Sequence, residues 1–215
     1  MSRLFKYFSI FGILLLFGAY FFRLFEVNGF VKVVASIEDP DAYYQGMAII
    51  YKVDYFFIAL IMVSCLASFI LMNKEKKMPL YSVSIIPIGV ALLERLYFVT
   101  ASCIVAKRTL DSDISIVGIL NIVILALGLL AVVNSILVMR FLENKPLTLA
   151  FSLFSIGAIT ASSLINVYAS IIGKASIHFI LFTIFFLLGI VLLVIEFILR
   201  YRNIKEDVVE TPSNN

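Results

Sequence analysis

The chain has 215 residues, of which 62% are hydrophobic and 14% charged, with a formal net charge of +3. Ordinary soluble domains are roughly a quarter charged, and a mean hydropathy of +1.08 means more apolar side chains than a soluble core of this size can hide. A water-soluble fold is excluded, and Lys and Arg scattered in short clusters between apolar runs read as topological signals, not as a nucleic-acid footprint.

A membrane-crossing helix needs about 20 mostly apolar residues. Six segments satisfy this, at 7–25, 53–72, 80–106, 114–139, 147–172 and 177–199. The expected fold is all-α, a polytopic transmembrane bundle forming one domain over residues 1–200. The first segment follows Arg3 and Lys6, as a secretory signal would. It is nevertheless as long as a span, ends in aromatic residues and lacks a small-residue cleavage site, so it reads as a retained helix.

The longest loop is expected at 26–52. Asp39 followed by Pro40 is a helix-start signal, and Tyr43, Tyr44, Met47, Ile49 and Ile50 predict a short helix over 42–51. That helix either lies in the outer interface or runs directly into the second span. Tyr43, Tyr44, Tyr51 and Tyr55 would supply an interfacial aromatic belt to a protein without Trp.

The third segment carries the strongest local signal, Glu94-Arg95. An ionisable group at mid-bilayer costs at least ~2.5 kcal/mol on insertion scales. Adjacent helical residues point roughly 100° apart, so each side chain needs partners on other helices. Glu94 stands 14 residues into its span, or ~21 Å along a helix. Glu196 stands close to the inner end of the sixth span, too far for Arg95 to reach. Thr160, Ser163, Asn121 and, by snorkelling, Asp54 are the partners expected at matching depth. Arg23, Glu26, Asp54, Asn121, Asn166 and His178 all fall in outer halves of their spans, and Asn134 and Glu196 in inner halves. This asymmetry predicts a polar vestibule opening outward, with Pro87 bending the third span below it. Two readings of Glu94 and Arg95 stay open: a buried lock joining helices, or the floor of a cavity for a polar or charged solute or a proton-coupled carboxylate.

Asp113, Asn144 ahead of Pro146, and Ser176 are the helix-start candidates for the last three segments. The fifth segment is rich in small and hydroxyl residues, and Gly157 and Ala161 have the small-xxx-small spacing of close helix contact. That places it near the bundle centre. Residues 201–215 turn polar and are expected to be a disordered cytoplasmic tail.

Orientation follows from the basic residues. Arg3, Lys6, Lys74, Lys76, Lys77, Arg140, Lys145, Arg200, Arg202 and Lys205 fall on one face, ten against six for Arg23, Lys32, Lys52, Lys107, Arg108 and Lys174. Positively charged loops stay cytoplasmic, so both termini are expected inside, with the cell membrane as the location.

Chemistry-bearing motifs are few. His178 is the single histidine, and the sequence has no H-E-x-x-H, no C-x-x-C around Cys65 or Cys103, no G-x-S-G and no glycine-rich phosphate loop. No catalytic residue, metal ligand or cofactor is assigned, and a non-enzyme is expected. The sequence predicts a transport-related or solute-binding membrane component with a polar core of Glu94, Arg95, Asn121, Thr160, Ser163, Asn166 and Asp54. The alternative is an interaction or immunity-type subunit that docks on another membrane complex. Membrane lipids, other membrane subunits or an ATPase are the expected partners, and nucleic acid is not.

Overall fold

The computed structural model describes residues 2–74, 81–111, 113–142, 144–172 and 176–209. Side chains are described for most of these, but not for 2–6, 72–74, 81–83, 166, 168–172 and 200–209. Six α-helices account for nearly all of it: α1 (Ser2–Ala35), α2 (Ala42–Lys74), α3 (Tyr81–Leu110), α4 (Ile116–Leu137), α5 (Lys145–Ile172) and α6 (Ile177–Val209). Each contains a stretch long and apolar enough to cross a membrane. A π-helical turn, Val138–Leu142, extends α4.

The helices run past the expected spans where nothing in the sequence breaks them. Val27, Phe30, Val31, Val33 and Val34 carry α1 on to Ala35, so the expected loop over 26–52 shrinks to residues 36–41. Asp41 then caps α2 by accepting from the Tyr44 N–H at 3.0 Å, and Gln45 Nε2 donates to the Pro40 carbonyl at 2.7 Å. Segment 42–51 therefore runs straight into the second long helix. At the other end α6 continues through the polar residues to Val209. No Gly or Pro occurs from 200 to 209 to break the helix. Residues 210–215 lie outside the described residues.

Short turns end and start the remaining helices. Asp111, at φ 47°, takes the left-handed conformation that terminates α3. Ser115, not the expected Asp113, caps α4 by accepting from the Gly118 N–H at 3.0 Å. A capping side chain must reach the N–H three residues on, and Asp113 stands two residues too early. Asn144 and Ser176 cap α5 and α6 as their positions predict, accepting from Leu147 at 3.1 Å and Phe179 at 3.2 Å.

Helix α1 lies against α6 along its length and against α2 on another side. Helix α2 packs on α3, α3 on α4, and α4 on α5, while α5 makes lighter contact with α6 and α3. Two close approaches fix this arrangement. A Cβ on Gly189 of α6 would sit 3.0 Å from the Gly12 carbonyl oxygen of α1, and a Cβ on Gly128 of α4 would sit 2.6 Å from Ala158 of α5. Gly157 faces open space, so the close contact of α5 is made by Ala158 and not by the Gly157/Ala161 pair. Helix α5 is thus paired with α4 at one side, and the interior core of Leu16, Tyr20, Ile58, Ile88, Leu92 and Phe186 is built largely from α1, α2, α3 and α6.

A buried charge cluster between four helices

Tyr20 and Arg23 are one helical turn apart on α1, as are Tyr51 and Asp54 on α2, so each pair shares a face. Those faces meet Glu94, Arg95 and Phe98 of α3. Arg23 is the hub. Its Nη1 donates to Glu26 Oε2 at 2.8 Å, and its Nη2 lies 2.9 Å from Asp54 Oδ2. The second contact is not an aligned hydrogen bond, because neither atom has a hydrogen-bond partner. It is an ion-pair contact. The guanidinium is also enclosed by rings, 4.7 Å from the Phe98 centroid and 5.4 Å from that of Tyr51. Cation–π contacts of this kind are worth about 2 kcal/mol or more when desolvated, which offsets part of the cost of taking Arg23 out of water.

Glu94 and Arg95 occupy the other half of the cluster. Tyr20 Oη donates to Glu94 Oε2 at 3.3 Å, and the Asp54 and Glu94 carboxyls come within hydrogen-bonding reach of each other. Arg95 Nε is 3.6 Å from Glu94 Oε2, a loose pair, as neighbours pointing in different directions must be. Its guanidinium lies instead over the Phe182 ring of α6 at 4.9 Å. Phe182 meets Tyr20 edge-on at 5.5 Å, so one ring contacts both the cation and the carboxylate's donor.

Arg23, Asp54, Glu94 and Arg95 are all at most 2% exposed, whereas Glu26 keeps 15% of its side chain accessible. The cluster therefore holds three carboxyls and two guanidiniums, with accessibility rising toward Glu26. Several buried atoms have no hydrogen-bond partner: Glu94 Oε1, both Asp54 oxygens, and Arg23 Nε and Arg95 Nε. Unpaired polar atoms at such depth are costly.

Of the residues singled out from sequence, Glu94, Arg95 and Asp54 come together here. Thr160 and Ser163 do not, because their hydroxyls donate to the Ile156 and Ile159 carbonyls of their own helix, each at 2.8 Å. Asn121 is buried on α4 with its Oδ1 unpartnered. The Asn166 side chain lies outside the described residues. Glu196 is buried on α6, 14 residues beyond Phe182, or ~21 Å along the helix from Arg95's aromatic partner. His178 is exposed and stacks on Phe25 at 5.7 Å. Sequence reasoning did not assign Tyr20, Tyr51, Phe98 or Phe182 to the cluster. The readable signal was Tyr20 three residues before Arg23 in the otherwise apolar stretch 10–25.

A second polar region joins α4 to α5. The Ser135 and Ser152 hydroxyls lie 2.8 Å apart and 3.2 and 2.9 Å from the Thr148 carbonyl, so their two protons are distributed over three contacts, with Ser152 donating to Thr148 and Ser135 donating to either Ser152 or Thr148. All of its members are neutral, and the described residues contain no group of three or more His, Cys, Asp or Glu placed to hold a metal ion. Comparison with protein-family models finds no match, and comparisons with curated proteins and with solved structures find none either.

Proposed function

We propose that this chain is a non-enzymatic membrane protein that binds or carries a small polar or charged solute at the Arg23–Asp54–Glu94–Arg95 cluster. The supporting observation is the set of buried charged atoms without hydrogen-bond partners, Glu94 Oε1 and Asp54 Oδ1 foremost. A donor group of a solute, or a proton shared between the two facing carboxyls, fills those valences. Intramembrane ionisable groups that face a bundle interior commonly mark solute and ion pathways.

Access in this reading is from the side of Glu26, the most accessible member of the cluster. With ten Lys and Arg on one face against five on the other once the buried Arg23 is set aside, the positive-inside rule favours both termini in the cytoplasm of a cell membrane and Glu26 toward the outside. Pro87 within α3 removes one backbone hydrogen bond below the cluster, at a point where a helix can bend.

The test is thermal unfolding of the purified chain, with Glu94→Gln and Arg95→Leu beside the wild type, against a panel of amines, amino acids, organic acids and inorganic ions. A bound solute at 100 times its Kd stabilises by about 2.7 kcal/mol, so the wild-type melting temperature should rise with one class of solute. Both variants should melt cooperatively at a lower temperature than the wild type and lose that rise. Unfolding of both variants, with no solute shifting the wild type, would make the cluster a helix lock and end the proposal.

A further inference from the structure

Helix α4 shows most of its surface, with only 28% of its most apolar window buried inside the fold. Its outward face repeats with alternating spacings of three and four residues: Leu120, Val123, Leu127, Leu130, Asn134 and Leu137. The five apolar members are between 45% and 59% exposed, and Asn134 is exposed as well. This is the a/d pattern of a helix seam, with Asn134 at an a position. The buried face of α4, including Asn121, Leu125, Gly128 and Val132, turns away from it toward the fold. Beside the seam, Leu127, Leu130 and Asn134 form one wall of a groove of about 430 Å³, and Ala150, Phe151 and Phe154 of α5 form the other.

Apolar side chains facing lipid call for no partner, because lipid tails are as apolar as leucine. Asn134 does. It stands eight residues short of the end of the apolar stretch Ile116–Leu142, or ~12 Å inside it, and its side-chain amide makes no hydrogen bond among the described residues. A carboxamide both donates and accepts, so the group that satisfies it best at equal depth is another carboxamide. Two copies related by a two-fold axis along the membrane normal bring parallel α4 helices together, and such a contact pairs each residue with its own equivalent.

We infer that α4 is a self-association surface on which a second copy of this chain docks, with Asn134 hydrogen-bonded to its equivalent and the leucine seam packed around it. A single a-position Asn fixes both register and partner number in helix pairs. The adjoining groove receives the flank of the second helix against Phe151 and Phe154. The π-helical turn at Val138–Leu142 changes the residue spacing just after Leu137, which ends the seam on its inner side. This surface is separate from the charge cluster and stands whether or not that cluster binds a solute.

The full chain with Cys65→Ala and Cys103→Ala, carrying one donor or acceptor dye, is reconstituted in phosphatidylcholine–phosphatidylglycerol vesicles over a range of protein-to-lipid ratios. Energy transfer should report a saturable dimer. Asn134→Leu, an exposed change that leaves the fold intact, should weaken it roughly 3- to 30-fold, the range of interhelical hydrogen bonds in membranes. Asn134→Gln should keep most of it. In the same background Leu130→Cys should cross-link to itself under oxidation, while Leu188→Cys on the exposed face of α6 should not. The inference is overturned if the chain is monomeric at every density, if Asn134→Leu leaves the dimer unchanged, if cross-linking runs through Leu188→Cys, or if mass spectrometry finds a lipid held by a chain that stays monomeric.

Discussion

The α1–α2–α3–α6 interior and the α4–α5 pair solve the same problem, holding helices together in a solvent that gives no hydrophobic drive between them, by different means. The first uses full charges enclosed by rings, with Arg23 set against Glu26, Asp54, Tyr51 and Phe98. The second uses hydroxyls and the contact of Gly128 with Ala158. Hydroxyls have a fallback, since a serine or threonine that loses its neighbour can still donate to the carbonyl one turn back on its own helix. A buried guanidinium or carboxylate has none. The charged region should therefore be brittle to single substitutions and the hydroxyl region tolerant of them.

That contrast is sharpest at Arg23. Arg23→Leu strands Asp54 without a counter-charge in an apolar interior and should destabilise by about 3–5 kcal/mol, the range for breaking a buried ion pair from one side. Denaturant unfolding in mixed micelles measures it. Adding Asp54→Leu should recover a good part of the loss, because replacing both partners by apolar groups removes the stranded charge. A double variant no better than Arg23→Leu alone would mean that shape, not charge, makes the region brittle.

Next in size is Gly128→Val, which drives new side-chain atoms into the position of the Ala158 methyl, where even a Cβ would come to 2.6 Å. Overpacking of this kind costs about 1–3 kcal/mol, and the same unfolding assay should show it, with α4 and α5 separating first in hydrogen exchange. A smaller loss is expected from Tyr20→Phe, which removes the donor to Glu94 at little change of volume. Hydrogen bonds to charged groups contribute about 1.5–3 kcal/mol, and the 3.3 Å separation puts this one at the low end. The smallest effect belongs to Ser152→Ala. Ser135 keeps the Thr148 carbonyl as acceptor, and interhelical hydrogen bonds in membranes average about 0.6 kcal/mol. If Ser152→Ala proved as damaging as Arg23→Leu, the contrast between the two regions would be wrong.

How much of this was legible beforehand varied with the chemistry. Six apolar helices were readable because membrane-crossing length leaves a plain mark in hydropathy. Glu94 and Arg95 were readable because a charge deep in such a segment has no trivial explanation, and Asp54 was readable by depth. Arg23 was harder. With the first span drawn to end at residue 25, it counted as an interfacial residue, and only the extension of α1 to Ala35 places it well inside a continuous helix. Thr160 and Ser163 misled for the opposite reason, since sequence shows a hydroxyl but not whether it turns across to a neighbour or back onto its own backbone. The rings around Arg23 and Arg95 were hidden among 20 phenylalanines and 10 tyrosines, where one more aromatic residue carries no information.

The contact of α1 with α6 has a consequence for how the chain is made. The chief partner of the first helix is the last, and the Gly12–Gly189 approach cannot form until every intervening helix has left the ribosome. Before α2 and α3 follow it, α1 must sit in the membrane carrying Arg23 without Asp54 or Phe98. Glu26, one turn further on and already bonded to Arg23 within the same helix, is the one counter-charge available during that wait. An i,i+3 carboxylate on the same helix can hold the arginine in a neutral pair until α2 and α3 arrive to enclose it.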